Sequence, residues 1–192
     1  MTDKMTIRRT MSERRRSLDL TIRRDADSAI NVLLTGLKQI VDADTVGFYL
    51  SDGTEPSLET TLEYCLNAGK KVFVPRYRRE RDAGYEMVEI HHPKLDTAIG
   101  VYGLLEPLAH LPGASEAELM NMVWLVPGMA FDRSGNRLGR GKGIYDRLLV
   151  KTAGCRIGIY YSFQEISSIP CETHDEKLDL AVTENAIIQF NG

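Results

Sequence analysis

Cysteine is scarce in this chain. There are three in 192 residues, Cys65, Cys155 and Cys171, far apart and odd in number. No CxxC pair occurs, which excludes the usual zinc-finger spacing and a disulfide framework and points to a reducing compartment. Long apolar runs are also missing. No stretch approaches the roughly 20 apolar residues of a membrane-spanning helix, so no membrane partner is expected. The first residues lack the apolar segment of a secretory signal. They are rich in arginine, but Asp3, Glu13 and Asp19 interrupt them, unlike a transit peptide, and the cytoplasm is the expected compartment. A strong positive excess is absent too. The net charge is −3, which argues against a molecule that binds polyanions with its whole surface.

What is present is ordinary for a soluble domain: 43% hydrophobic and 27% charged residues. A chain of 192 residues predicts one domain, 1–192, with enough length to bury a core. Charge is uneven along it. Residues 1–24 hold eight Lys/Arg against three Asp/Glu.

The pattern predicts a basic helix from Met5 to about Leu20 and a second helix from about Asp25 to Val41, on which Ile30, Leu33, Leu34, Leu37 and Ile40 recur at helical spacing. Strands are expected at 45–50, 71–75, 85–90, 122–127, 155–161 and 186–190. A helix is expected at 57–68, closed by Gly69, and Pro75 and Pro127 are expected to stop their strands. Strands alternating with helices predict an α/β fold, a single three-layer α/β/α domain with a mostly parallel central sheet. Ligands of such sheets bind at the carboxyl ends of strands, here Leu50–Glu55, Pro75–Tyr77, Pro127–Phe131 and Tyr160–Phe163.

One of those ends opens the segment VPGMAFDRSGNRLGRGKGIYDRLL (126–149). Gly139, Gly141 and Gly143 allow tight turns and bring backbone N–H groups close to a ligand. A helix beginning near Gly143 offers its positive end to an anion. Arg137, Arg140 and Lys142 add mobile charge, and Asp146 can hold Mg²⁺ against phosphate oxygens. Known phosphate loops fit badly. Asn136 stands at the first glycine of a Walker A pattern, and Ile144 at the third glycine of GxGxxG. On the residues alone this is either a phosphate site of unfamiliar type or a glycine-rich surface turn with solvated charges.

From Pro127 to Asp146 the segment resembles the signature of the 5-formyltetrahydrofolate cyclo-ligase (methenyltetrahydrofolate synthetase) family, PG-x-x-F-D-x-x-G-x-R-L-G-x-G-K-G-[YF]-Y-D. The resemblance spans the chain. Lys4 and Arg8 match K-x-x-x-R; Leu50 and Glu55 match the approach to G-E, with Thr54 in place of the glycine. Gly69, Lys70, Val72 and Pro75 match GK-x-V-x-x-P. Met87 matches the methionine strand, Tyr102 the aromatic ahead of Glu106–Pro107, and Pro170, Glu172, His174, Asp175, Leu178 and Asp179 the tail. Two further departures are Ile144, where the family has the first of two aromatics, and Leu58, at the threonine of E-x-x-T. The second concerns local capping.

The resemblance implies a ligase of one-carbon metabolism that closes 5-formyltetrahydrofolate to 5,10-methenyltetrahydrofolate with ATP and Mg²⁺. It implies that Lys4, Arg8, Arg137, Leu138, Gly139, Arg140, Gly141, Lys142, Gly143, Ile144 and Tyr145 bind ATP. Lys142 and Arg140 would act in catalysis. Leu50, Glu55, Tyr102 and residues 140–145 would contact the folate, and Asp146 and Asp175 would hold Mg²⁺. Lys4 and Arg8, four apart, share one helix face. The expected partners are ATP and 5-formyltetrahydrofolate, with no nucleic acid and the chain acting as a monomer. Two alternatives belong to other classes. One is a non-catalytic paralogue that binds nucleotide or folate, supported by Ile144. The other is a nucleic-acid binder using RRTMSERRR (8–16) and RYRRER (76–81).

Overall fold

The computed structural model describes residues 3–78, 84–100, 103–150, 152–172 and 175–190. Its helices are α1 (Lys4–Arg16), α2 (Leu20–Thr35), α3 (Lys38–Val41), α4 (Glu59–Asn67), α5 (Pro93–Asp96), α6 (Glu116–Asn121) and α7 (Ile144–Leu149). The strands are β1 (Thr45–Gly47), β2 (Lys71–Tyr77), β3 (Tyr85–Ile90), β4 (Thr97–Ile99), β5 (Leu105–Pro107), β6 (Val123–Pro127), β7 (Ala130–Phe131), β8 (Arg137–Leu138), β9 (Arg156–Ile159), β10 (Leu180–Val182) and β11 (Ile187–Gln189).

Seven strands form the central sheet in the order β11-β10-β9-β6-β1-β2-β3. All inner pairings are parallel, and the edge strands β3 and β11 run antiparallel to their neighbours. Alternation along the strands divides the core between two faces. Val72, Val74, Val123, Leu125, Ile157, Ile159, Leu180 and Val182 point to one face, where Ile30 and Leu34 of α2 and Leu62 of α4 cover them. Phe73, Trp124, Val126 and Ala181 point to the other and meet Leu149 of α7. A third cluster seats Ile7 and Met11 of α1 on Met129, Ala130 and Leu138.

The order also locates a crevice. From β1 the chain builds outward to β2 and β3 on one side, and from β6 to β9 and β10 on the other. The strands that part company, β1 and β6, are neighbours. Their carboxyl ends are where a parallel sheet opens to a ligand.

Several boundaries differ from those the sequence predicts. The first helix stops at Arg16, because Asp19 caps a new helix by accepting from Thr21 N and Ile22 N. The second therefore starts five residues early, and Gly36 closes it before α3. Pro75 does not stop β2. Phe73 O accepts from Phe48 N on the β1 side, so the missing N–H of Pro75 faces the same side, beyond the end of β1. Leu58 occupies the N-cap of α4 without a side-chain bond, and Asn31 Oδ1 of α2 accepts from Thr61 N instead, at 2.9 Å.

Candidate active site

Two loops leave the sheet at the crevice. After β1, residues 51–55 fold on the Asp52 side chain, whose Oδ1 accepts from Thr54 N (2.9 Å), Thr54 Oγ1 (2.8 Å) and Glu55 N (3.2 Å). This Asx turn delivers Glu55, which is only 8% exposed. After β6 comes Gly128. A Cβ there would lie 2.7 Å from Tyr160 Oη and 3.2 Å from Leu138 O, so only glycine lets β8 pack this close.

The β7–β8 hairpin is tied by buried Asp132. Its Oδ1 accepts from Ser134 N and Asn136 N; its Oδ2 accepts from Asn136 Nδ2 and, across the fold, from Ile169 N. One carboxylate thus sets both the strand carrying Arg137 and the segment leading to Asp175. Beyond β8, Arg8 Nε donates to Gly139 O at 2.9 Å, and the Arg8 guanidinium lies against Gly141. Gly141 has φ +92°, which a side chain would resist. Gly143 begins α7, whose six residues give only a weak dipole.

These parts enclose a cleft of about 400 Å³. It is lined by Lys4, Arg8, Glu55, Arg137, Leu138, Gly139, Arg140, Gly141, Lys142, Gly143, Ile144, Tyr145, Asp146 and Asp175, so fourteen expected site residues meet in one place. Tyr85 and Leu104 also line it. Leu50 does not; it is half-buried and packs against the core. Tyr102 lies outside the described residues, as does His174.

Charges in the cleft are paired. Arg137 NH2 meets Asp146 Oδ1 at 2.5 Å. Lys4 Nζ stands 3.1 Å from both Glu172 Oε1 and Asp175 Oδ2. Partial burial works against the Lys4 ammonium, but these two carboxylates outweigh it and raise its pKa. Arg140 NH2 binds Asp52 Oδ2 and lies 2.9 Å from Glu55 Oε1. Desolvation would raise Asp52, yet hydrogen bonds from Arg140 and Thr54 hold it at about 2. Burial pushes Glu55 above the usual carboxylate range; Arg140 and Arg15 oppose the rise and Asp52 adds to it. Burial, then Glu55, raises the Tyr145 phenol.

Arg15 and Asp52 match no position of the family pattern above. Arg15 sits in a run of basic helical residues that reads as solvated, yet it is 2% exposed. It donates to Gly128 O (3.2 Å) and Thr54 Oγ1 (2.6 Å). The helical period was the available signal: positions 7, 11 and 15 recur at i, i+4 and i+8, so Arg15 shares the buried face of Ile7 and Met11, with Lys4 and Arg8 beside it. Two further cations of the basic stretches 8–16 and 76–81 have partners within the fold. Arg14 lies over the Phe163 ring, and Arg76 donates to Glu86, Leu108 O and Leu111 O.

Among the described residues no three His, Cys, Asp or Glu side chains gather to hold a metal by themselves. Asp146 and Asp175 on one cleft fit a different arrangement, in which Mg²⁺ takes one or two carboxylates and completes its shell with phosphate oxygens and water. The three cysteines are unpaired. Among the described residues no helix is long and apolar enough to cross a membrane.

Known proteins match this chain over nearly its whole length. The sequence model described as the 5-formyltetrahydrofolate cyclo-ligase family matches residues 1–184. A 5-formyltetrahydrofolate cyclo-ligase of Mycolicibacterium smegmatis is 32% identical over 185 residues, covering 94% of this chain and 93% of its own. The Escherichia coli protein of that name is 27% identical over 194 residues, covering 93% and 98%. Among solved structures, the Aquifex aeolicus 5,10-methenyltetrahydrofolate synthetase superposes with a TM-score of 0.84 at 27% identity, covering 98% of this chain and 93% of that one.

Proposed function

We propose, for a chain that belongs to the 5-formyltetrahydrofolate cyclo-ligase family, that its full length is one catalytic domain converting 5-formyltetrahydrofolate, ATP and Mg²⁺ to 5,10-methenyltetrahydrofolate, ADP and phosphate. The observation that carries this reading is the cleft itself, where Glu55 faces a cationic glycine-rich loop across the ends of β1 and β6.

The formyl oxygen is a poor leaving group. It attacks the γ-phosphorus of ATP, the bond to ADP breaks, and an iminium phosphate results. N10 then attacks the formyl carbon, the C–O bond breaks, phosphate departs and the N10 proton is lost. Such a sequence needs no nucleophilic side chain; it needs positioning and neutralised charge. Arg8, Arg137 and the N–H groups of residues 138–145 hold the polyphosphate, with Lys4 beside Asp175. Lys142 neutralises the group in flight, and Arg140 serves both ligands. Glu55 accepts from N–H groups of the pterin, and Tyr145 and Ile144 pack against its ring. Tyr102 would add to that contact. Asp146 and Asp175 would hold Mg²⁺, which when bound screens the phosphate charge.

The test mixes the protein with 5-formyltetrahydrofolate and MgATP and records the absorbance of the methenyl product. Product is expected only with all three present. Product without ATP overturns the phosphorylation step; no product under any condition, with nucleotide still bound, favours the non-catalytic paralogue.

Ile144 offers a graded check. Ile144→Tyr restores an aromatic pair worth about 0.5–1.5 kcal/mol beyond area. The KM for the folate should fall roughly 2- to 10-fold while that for ATP holds. A rise in folate KM would show that the pocket is shaped around isoleucine.

A further inference from the structure

Glu55 is buried against two guanidiniums and a second carboxylate, an arrangement that does not hold itself in place. We propose that Arg15, Asp52 and Thr54 are positioning residues of the folate site, which fix Glu55 and Arg140 without touching the reacting atoms. The proposal rests on the assignment of Glu55 to the folate.

None of the three lines the cleft. Asp52 joins its two halves. Oδ1 fixes the backbone N–H groups of Thr54 and Glu55, and Oδ2 takes Arg140 from the glycine-rich loop. Arg15 joins the same turn to the other strand end. It reaches from α1 to Gly128 O and Thr54 Oγ1, with NH1 3.8 Å from Glu55 Oε1 and NH2 3.9 Å from Asp52 Oδ1. Its side chain is 3% exposed, so its charge is balanced by these two carboxylates rather than by water.

Thr54 closes the circuit. Its hydroxyl accepts from Arg15 NH2 and donates to Asp52 Oδ1, using one oxygen in both senses. A glycine, the residue that the family resemblance implies before Glu55, can do neither. In this chain the hydroxyl therefore locks the turn that presents Glu55. Asp52 gives Arg140 a second acceptor, so Arg140 bridges the two carboxylates instead of settling on Glu55 alone. Glu55 keeps acceptor capacity for donors from a ligand. The groups facing Glu55 are Arg15 from α1, Asp52 from its own turn, Arg140 from the loop, Tyr49 after β1 and Tyr145 of α7.

Three substitutions at one exchangeable position test this. Thr54→Val keeps the shape and removes the hydroxyl, Thr54→Ser keeps the hydroxyl, and Thr54→Gly removes both. Steady-state kinetics should show the folate KM raised on the order of tenfold in the valine and glycine variants, as for a lost hydrogen bond to a charged group. kcat and the KM for ATP should stay within about twofold, and serine should restore the parent value. A second measurement is independent of turnover. The Glu55 carboxylate is followed by carbon NMR through a pH titration, with Glu55→Gln identifying its signal. In Asp52→Asn the neighbouring negative charge is gone and Arg140 is left to Glu55, so Glu55 should titrate at lower pH. Valine kinetics equal to the parent, serine no better than valine, or an unmoved Glu55 titration would each overturn the proposal. If the parent protein turns over no folate, the assignment of the reaction fails, and the titration still decides whether Asp52 governs Glu55.

Discussion

Lys142→Ala should lower kcat by a factor on the order of 10²–10³, the usual loss when one preorganised donor to developing charge is removed. Lys142 is exposed on the glycine-rich loop at the cleft, between Gly141 at φ +92° and Gly143 at φ +59°. The two left-handed residues fix the path of the backbone, so the ammonium swings from a defined anchor. A solvent-facing loop residue contributes little to the core, and the melting temperature should hardly change. ATP binding should weaken only modestly, because Arg8, Arg137 and the loop N–H groups remain. Lys142→Arg should recover part of the rate, since a planar fork is not a compact ammonium. Stopped-flow single turnovers with MgATP separate the chemical step from release. A near-normal single-turnover rate in Lys142→Ala would move the catalytic charge to Arg137, Arg140 or the pair Lys4 and Arg8.

Strands β1, β2, β6 and β9 were legible because each lies in a short apolar run set apart by turns and helices. What escaped were elements with too little pattern to read. β7 and β8 are two residues each. β10 is three residues following the charged stretch 175–179. Pro75 misled because a proline ends a strand only if its missing N–H faces a partner, and which side it faces is decided by where β1 stops.

The site was legible wherever a motif carries its residues together, as from Arg137 to Asp146. It was not legible where a charge acts through the fold. Within RRTMSERRR residue type does not distinguish Arg15, inside the molecule, from Arg16, which is exposed; only the helical spacing from Met11 does. The difference is one step of 100° around α1. Asp52 reads as an ordinary turn residue, and it is one; its second oxygen acquires a role only when Arg140, 88 residues away, arrives beside it. Leu50 shows the opposite case, a matched position whose half-buried side chain packs against the core and does not line the cleft.

Asp146→Asn should produce two effects that separate cleanly. Asp146 is expected to hold Mg²⁺, so the Mg²⁺ concentration needed for half-maximal rate at fixed ATP should rise at least tenfold. Asp146 is also the partner of Arg137, whose side chain is 3% exposed, against 26% for Asp146. Asparagine can still accept one hydrogen bond, but the guanidinium charge then stays buried without a counter-charge. Stability should fall by about 1–3 kcal/mol, read from urea unfolding without nucleotide. Adding Arg137→Gln removes the stranded charge and should return part of that stability. It should not restore the Mg²⁺ requirement, because the carboxylate is still missing. If stability falls while the Mg²⁺ dependence of Asp146→Asn matches the parent, Asp146 serves Arg137 alone and the metal takes other ligands. If the Mg²⁺ requirement rises while stability holds, the Arg137 contact contributes nothing to the fold, and the metal role stands by itself.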